Sequence, residues 1–173
     1  MNKKNKSIKT NRGFNIQKAR GFVAYSAPYN GGMIYSVARV SPQDKFDEEL
    51  GKAIASARVE LAIRRHEANK SLKVLKEMQE RMRANMAKTP DKDASRFWSR
   101  HIAIASDYHN ELLRYLRNQK KVAALIESGE YVGHKYNEML KLAHDRVLFE
   151  EAEEKKKKEA ETNKKAKEVE SAE

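Results

Sequence analysis

Apolar residues recur every three or four positions through most of the chain after residue 45, which is the spacing of one helical face. In the first run the spacing mostly alternates between four and three as in a heptad repeat, with Arg64 and Gln79 at two of its positions. Its apolar members are Phe46, Leu50, Ile54, Ala57, Leu61, Ala68, Leu72, Leu75, Met82 and Met86. The pattern predicts one long helix with an apolar seam.

Capping residues predict where this helix begins and ends. Ser41-Pro42-Gln43-Asp44 offers a Ser N-cap, a Pro at the first helical position and an acid three residues after the Ser. The residue before Pro90 is pushed out of the helical region, so the helix should end just before it. We therefore predict a helix over about 41–88.

Two further stripes predict two more helices, over about 92–128 and 131–149. The first stripe contains Trp98, Ile102, Ala105, Tyr108, Leu112, Leu116, Ala123 and Ile126. The second contains Val132, Tyr136, Leu140, Ala143 and Val147. Gly129 suits the position just past a helix end, and short turns between helices make them antiparallel neighbours.

Residues 20–40 have the pattern of a β-hairpin. Residues 21–27 and 33–40 are rich in aromatic and β-branched residues, and Asn30-Gly31 between them suits a turn with positive φ. Two strands alone are marginally stable in water. We expect the hairpin to lie on a helix or to pair with more strands, for example those of a second copy.

Both ends of the chain are polar. Residues 1–19 lack periodicity and are predicted to form a basic flexible arm, whereas residues 150–173 carry Glu four residues before Lys and form a charged tail, helical or disordered. The predicted fold is mainly α: an elongated antiparallel helical hairpin or three-helix coiled-coil-like bundle with a small N-terminal β-hairpin.

Composition narrows the class of protein. The chain has 173 residues, enough for one domain with tails, and its formal net charge is +11. It contains no Cys and no apolar run of about 18 residues, which favours a reducing cytoplasm and argues against a membrane span.

The positive charge is concentrated at the front, where Arg-Gly-Phe occurs twice, at residues 12–14 and 20–22. The second copy resembles the start of an RNA-recognition strand, but the order of residues after Phe22 differs and the surrounding βαββαβ framework is missing. Arg and aromatic residues in a basic arm could track a phosphate backbone, or the rings could simply cover the helices. The candidate binding residues are Lys3, Lys4, Lys6, Lys9, Arg12, Phe14, Lys18, Arg20, Phe22 and Tyr25.

Other candidate chemistry is sparse. Glu130, His134 and Glu138 stand four apart, but an exposed charged stripe is the simpler interpretation than a metal site. Met78, Met82 and Met86 lie one turn apart and form either a partner-docking surface or part of the seam. No nucleophile with a base and no paired carboxylates are found, so the sequence predicts no enzyme, no metal and no cofactor.

Residues 35–62 resemble small, mostly uncharacterised accessory proteins of tailed bacteriophages, in which a strand leads through Ser/His-Pro-x-Asp into a helix. The matching residues are Ser41, Pro42, Asp44, Phe46, Gly51, Lys52, Ile54, Ala55 and Arg58. The resemblance covers about a sixth of the chain and implies an origin rather than an activity.

Three functional hypotheses follow. The first is a non-enzymatic, phage-encoded interaction protein in the bacterial cytoplasm that binds and modulates or inhibits a host or phage protein complex, with nucleic-acid machinery the expected target. The second is direct, sequence-tolerant binding of DNA or RNA through the basic arm. The third is a homo-oligomeric coiled-coil structural protein. None of the three involves a membrane.

Overall fold

The computed structural model describes residues 13–88 and 91–170, with side chains described up to residue 164. The chain is mainly helical, with a small antiparallel sheet on its N-terminal side. Its elements are β1 (Gly13–Gln17), β2 (Phe22–Tyr29), β3 (Gly32–Arg39), α1 (Glu48–Lys88), α2 (Lys92–Glu127) and α3 (Tyr136–Glu170). Within the described residues, no helix combines the length and apolar character needed to cross a membrane.

The sheet has three strands in the order β1-β2-β3, all antiparallel. Asn30 and Gly31 have φ values of 49° and 76° and form the two-residue turn between β2 and β3, as their sequence predicts. The first strand corrects the predicted arm, because residues 13–17 pair with β2 and do not form a free segment. The hairpin therefore gains the additional strand it needs from its own chain.

The first half of α1 lies between the sheet and the other two helices. Ala55 and Val59 pack against the sheet, whereas Ala53 and Ala57 pack against α2 and α3. These positions fall on opposite sides of the helix because residues two apart are rotated by about 200°. Small side chains on both sides let the neighbouring elements approach α1 closely.

Helix α1 begins at Glu48, seven residues later than predicted. Ser41 and Pro42 belong instead to a turn in which the Asp44 N–H donates to the Ser41 carbonyl oxygen at 3.0 Å. The N-cap is Asp47, whose Oδ1 accepts a hydrogen bond from the Leu50 N–H at 2.9 Å. The extra loop carries the chain from the end of β3 to the start of α1.

Helices α1 and α2 run antiparallel, as contacts along their length show. Arg58 forms an ion pair with Glu127 at 2.7 Å. Farther along, Ser71 Oγ lies 2.7 Å from His109 Nδ1. Residues later in α1 thus contact residues earlier in α2.

Helix α3 completes the main apolar core with three fully buried residues, Met139, Ala143 and Val147. It begins at Tyr136, five residues later than the predicted 131, and continues without a break to Glu170. The predicted boundary at residue 150 is therefore absent from the backbone, although the side chains there become exposed. The described part of the charged tail is helical.

Candidate nucleic-acid interface

Among the described residues, no helix covers the face of the sheet opposite α1. Val23, Tyr25 and Ala27 of β2 are buried toward α1, so the alternate residues of each strand point the other way. We call this the outer face of the sheet; it consists of Asn15, Gln17, Phe22, Ala24, Ser26, Pro28, Met33, Tyr35, Val37 and Arg39. Tyr35 is its most exposed large apolar side chain, at 77%.

Aromatic rings lie toward both ends of the outer face. Tyr35 of β3 pairs with Ser26, which is four residues along β2 from Phe22. At about 3.3 Å per residue, the two rings are attached roughly 13 Å apart along the strands. Phe22 is half-buried and pairs across the strands with Arg39, whose side chain is exposed. A guanidinium group therefore accompanies one of the two rings.

The charge on this part of the chain has a single sign. From residue 1 to residue 43 the sequence contains no Asp or Glu. Among the described residues of this stretch, the cations are Lys18, Arg20 and Arg39, of which Lys18 forms an ion pair with Glu48 at 3.1 Å. Arg20 and Arg39 have no ion-pair partner within the described chain. The outer face is thus flanked by two available guanidinium groups and by no carboxylate of its own.

Two of the predicted binding residues are turned inward, which corrects their assignment to the binding surface. Tyr25 is only 5% exposed, and its ring centroid lies 4.5 Å from that of Phe14. Phe14 also contacts the ring of Tyr136 edge-on at 5.4 Å between centroids. Strand alternation places both rings on the face that α1 and α3 cover, so they contribute to the core.

Of the other predicted binding residues, Arg20 and Phe22 reach solvent near the outer face, and Lys18 is held by Glu48. Lys3, Lys4, Lys6, Lys9 and Arg12 lie outside the described residues. Met33, Tyr35 and Arg39 complete the outer face, and no sequence motif singles them out. Residues 33, 35, 37 and 39 alternate with residues 34, 36 and 38 between the two faces of the sheet. Only the position of α1 decides which of these two faces is exposed.

The three predicted docking methionines, Met78, Met82 and Met86, are half-buried. They continue the helical row that includes the buried Leu75, which is seam packing rather than an exposed surface. Likewise Glu130 and His134 precede the start of α3, so the row of three side chains expected on one helix does not form.

A cleft of about 720 Å³ lies between the sheet, the loop before α1 and the first turn of α1. The two carboxylates that the first turn of α1 contributes are already engaged: Lys52 Nζ lies 2.9 Å from Glu48 and 2.8 Å from Glu49. Glu49 also accepts a hydrogen bond from the Tyr136 N–H at 2.8 Å. The Lys52 ammonium hydrogen bond is the main reason why the pKa of both carboxyl groups is lowered. Both are ionised at neutral pH and unsuited to act as general acids.

The described residues contain no group of three or more His, Asp or Glu side chains arranged to hold a metal ion. Comparison of the chain with protein-family models, with curated proteins and with solved structures finds no match.

Proposed function

We propose that the protein is a non-enzymatic, single-strand nucleic-acid-binding protein that uses the outer face of its sheet. The observation that carries this proposal is a sheet face with the exposed ring of Tyr35 and the half-buried ring of Phe22, on a 43-residue stretch without a single carboxylate side chain. Tyr35 and Phe22 would stack on bases, and Arg20 and Arg39 would contact phosphates. Stacking and charge neutralisation both tolerate any base sequence.

The sequence before Gly13 adds further positive charge to this part of the chain. Lys3, Lys4, Lys6, Lys9 and Arg12 add positive charge that no nearby acidic residue in the sequence offsets. Each phosphate contact releases counterions, so affinity should fall steeply with salt. The sequence-tolerant binding predicted for the arm is thereby extended to include the sheet.

The test is fluorescence anisotropy with labelled single-stranded DNA and RNA oligonucleotides of mixed sequence. We expect Tyr35→Ala to weaken binding about tenfold, which corresponds to one lost stacking contact. Phe149→Ala is the matched control, because Phe149 is a 67% exposed ring on α3, away from the sheet. Arg39→Gln should reduce the slope of log affinity against log salt by about one, with the exposed Lys73→Gln as its control.

The interaction with a protein complex of a phage or its bacterial host stays a prediction. A pull-down from bacterial lysate, with and without nuclease, separates it from our proposal. A stoichiometric protein partner that survives nuclease, together with undetectable oligonucleotide binding, would replace nucleic acid as the ligand. Loss of all captured material on nuclease treatment would support our proposal.

A further inference from the structure

Helix α2 carries a second apolar stripe that the described part of the chain leaves exposed. Phe97, Ile104 and Tyr108 are exposed by 56%, 60% and 61%, and the exposed His101 continues their spacing of four, three and four residues. This is the spacing of a coiled-coil seam. We call these four residues the outer stripe of α2.

The outer stripe lies beside the seam that α2 forms with α1, not on it. Trp98 and Ala105, which directly follow Phe97 and Ile104, are half-buried on the side of α1. Across the boundary, Val74 of α1 is 47% exposed, and a groove of about 330 Å³ separates it from Tyr108. Val74 is thus an exposed apolar side chain of α1 across this groove, whose lining also includes Glu67 and Lys70.

Charged residues of alternating sign border the outer stripe at every seventh position. They are Asp93, Arg100, Asp107 and Arg114. Their spacing of seven places them on one flank of the helix, turned away from α1. Arg100 and Asp107 have no ion-pair partner among the described residues, whereas Asp93 and Arg114 form only exposed pairs with Arg96 at 3.6 Å and with Glu111 at 3.1 Å.

We propose that the outer stripe binds the same stripe of a second copy of this chain, with the two α2 helices antiparallel. Residues on the same flank meet in an antiparallel coiled coil, so Arg100 would pair with Asp107 of the second copy. The same register pairs Asp93 with Arg114 of the second copy. Each of the four flanking charges then has an opposite charge facing it.

The apolar positions agree with this register. Phe97 lies opposite Tyr108 of the second copy, and His101 lies opposite Ile104 of the second copy. The arrangement is two-fold symmetric, so every contact occurs twice, as in an isologous dimer. If the two α2 helices instead ran parallel, each flanking charge would lie level with the same residue of the second copy, which has the same sign. The two helical hairpins together form a four-helix arrangement.

Sedimentation velocity over a range of protein concentrations tests the proposal. The wild-type chain should reach twice its monomer mass of 19.9 kDa, and Ile104→Asp should stay monomeric with an unchanged circular dichroism spectrum. The matched control is Leu148→Asp on α3, where the exposed fraction is 59% against 60% for Ile104. It should dimerise like the wild type. A wild-type chain that is monomeric up to roughly 1 mM would overturn the proposal.

Charge reversal tests the register. Arg100→Asp and Asp107→Arg should each raise the dimer dissociation constant about tenfold, because each reverses two exposed pairs. The double variant should restore wild-type affinity, and an equal mixture of the two single variants should form heterodimers. A dimer indifferent to both single variants, or a double variant as weak as either one, would contradict this interface.

Discussion

Gly51 shows how one missing side chain fixes the distance between α1 and the sheet. A Cβ atom at Gly51 would lie 2.7 Å from Cγ2 of Val23, which is fully buried on β2. Val23 is β-branched and has little freedom to move its methyl groups away. Gly51→Ala should therefore lower the free energy of unfolding by about 1 kcal/mol, although Ala is the better helix former by about that amount. Urea denaturation measures the change.

Two further variants make this prediction specific. Gly13→Ala is the matched control, since nothing lies within 4 Å of a Cβ at that position, and its stability should change by less than about 0.5 kcal/mol. A Val23→Ala background removes the 2.7 Å contact and leaves only the 3.2 Å contact with the Cβ atom of residue 23, so Gly51→Ala should cost less stability there than in the wild-type chain. If Gly51→Ala stabilised the wild-type chain, the close packing of α1 on β2 would be wrong.

At the same scale, the outer face shows where residue-level prediction succeeds and fails. Arg20 and Phe22 can be picked from a local motif, because Arg-Gly-Phe is visible in the sequence. Tyr25 and Tyr35 cannot be separated in this way, since both lie on strands rich in aromatic residues. Which ring is buried depends on the face that α1 covers, and that is a contact between distant parts of the chain.

Among the elements, α3 receives its N-terminal cap from another helix. Glu49 of α1 accepts the Tyr136 N–H, and its other oxygen receives Lys52. Both contacts lower the pKa of the Glu49 carboxyl group in the folded chain, Lys52 more strongly. Because the pKa is lower in the folded chain, the ionised carboxylate stabilises the fold at pH values above the pKa of the unfolded chain. This stability is lost as the pH falls through the pKa of the folded chain.

We therefore expect the free energy of unfolding to fall below about pH 5, and Glu49→Gln to make that fall shallower. Urea denaturation at a series of pH values between about 6 and 3 measures both. Glu159→Gln, on the exposed part of α3, is the control and should keep the wild-type pH dependence. An unchanged pH profile in Glu49→Gln would show that this carboxylate does not hold α3 to α1.

The second half of α3 is expected to add almost nothing to stability. Val147 is its last buried side chain among those described, and beyond it the contacts include exposed pairs such as Lys155 with Glu159 at 3.9 Å. Truncation of residues 155–173 should change the free energy of unfolding by less than about 0.5 kcal/mol. Truncation after residue 142 removes Ala143 and Val147 from the core and should prevent stable folding. A large loss from the shorter truncation would mean that the tail packs on the body.

These energetic differences explain which elements the sequence can predict. The long stripes of α1 and α2 are visible because burying one helical face requires apolar residues every three or four positions. Residues 150–170 have no such requirement, so their sequence leaves helix and disorder open. Strand β1 is not visible in the sequence pattern, because only Phe14 and Ile16 point inward from it and its backbone hydrogen bonds are made with β2.

In the whole molecule, α1 joins two apolar clusters that would otherwise be separate. One cluster lies between α1, α2 and α3, and the other lies between α1 and the sheet. Ile54 contacts both. The sequence predicts Ile54 as a seam residue, but it does not reveal the second contact, because the sheet approaches α1 from the side opposite α2.

If Ile54 couples the two clusters, Ile54→Ala should weaken the sheet and the helices together. We expect the free energy of unfolding to fall by about 2 kcal/mol. This is at the low end for an Ile-to-Ala change, because Ile54 is only partly buried. Trp98 fluorescence reports on α2, and far-ultraviolet circular dichroism reports mainly on the helices. Hydrogen exchange of β2 amides reports on the sheet. All three should show the same lowered free energy of unfolding.

The matched control for this change is Leu148→Ala, an exposed aliphatic residue on α3 that should alter stability by less than about 0.5 kcal/mol. A sheet that loses its exchange protection while the helical signals keep their wild-type transition would contradict the coupling. In that case the sheet, which carries the outer face, would unfold independently of the helices. Its presentation to a nucleic-acid strand would then depend on the stability of the sheet alone, since α1 could remain folded without it.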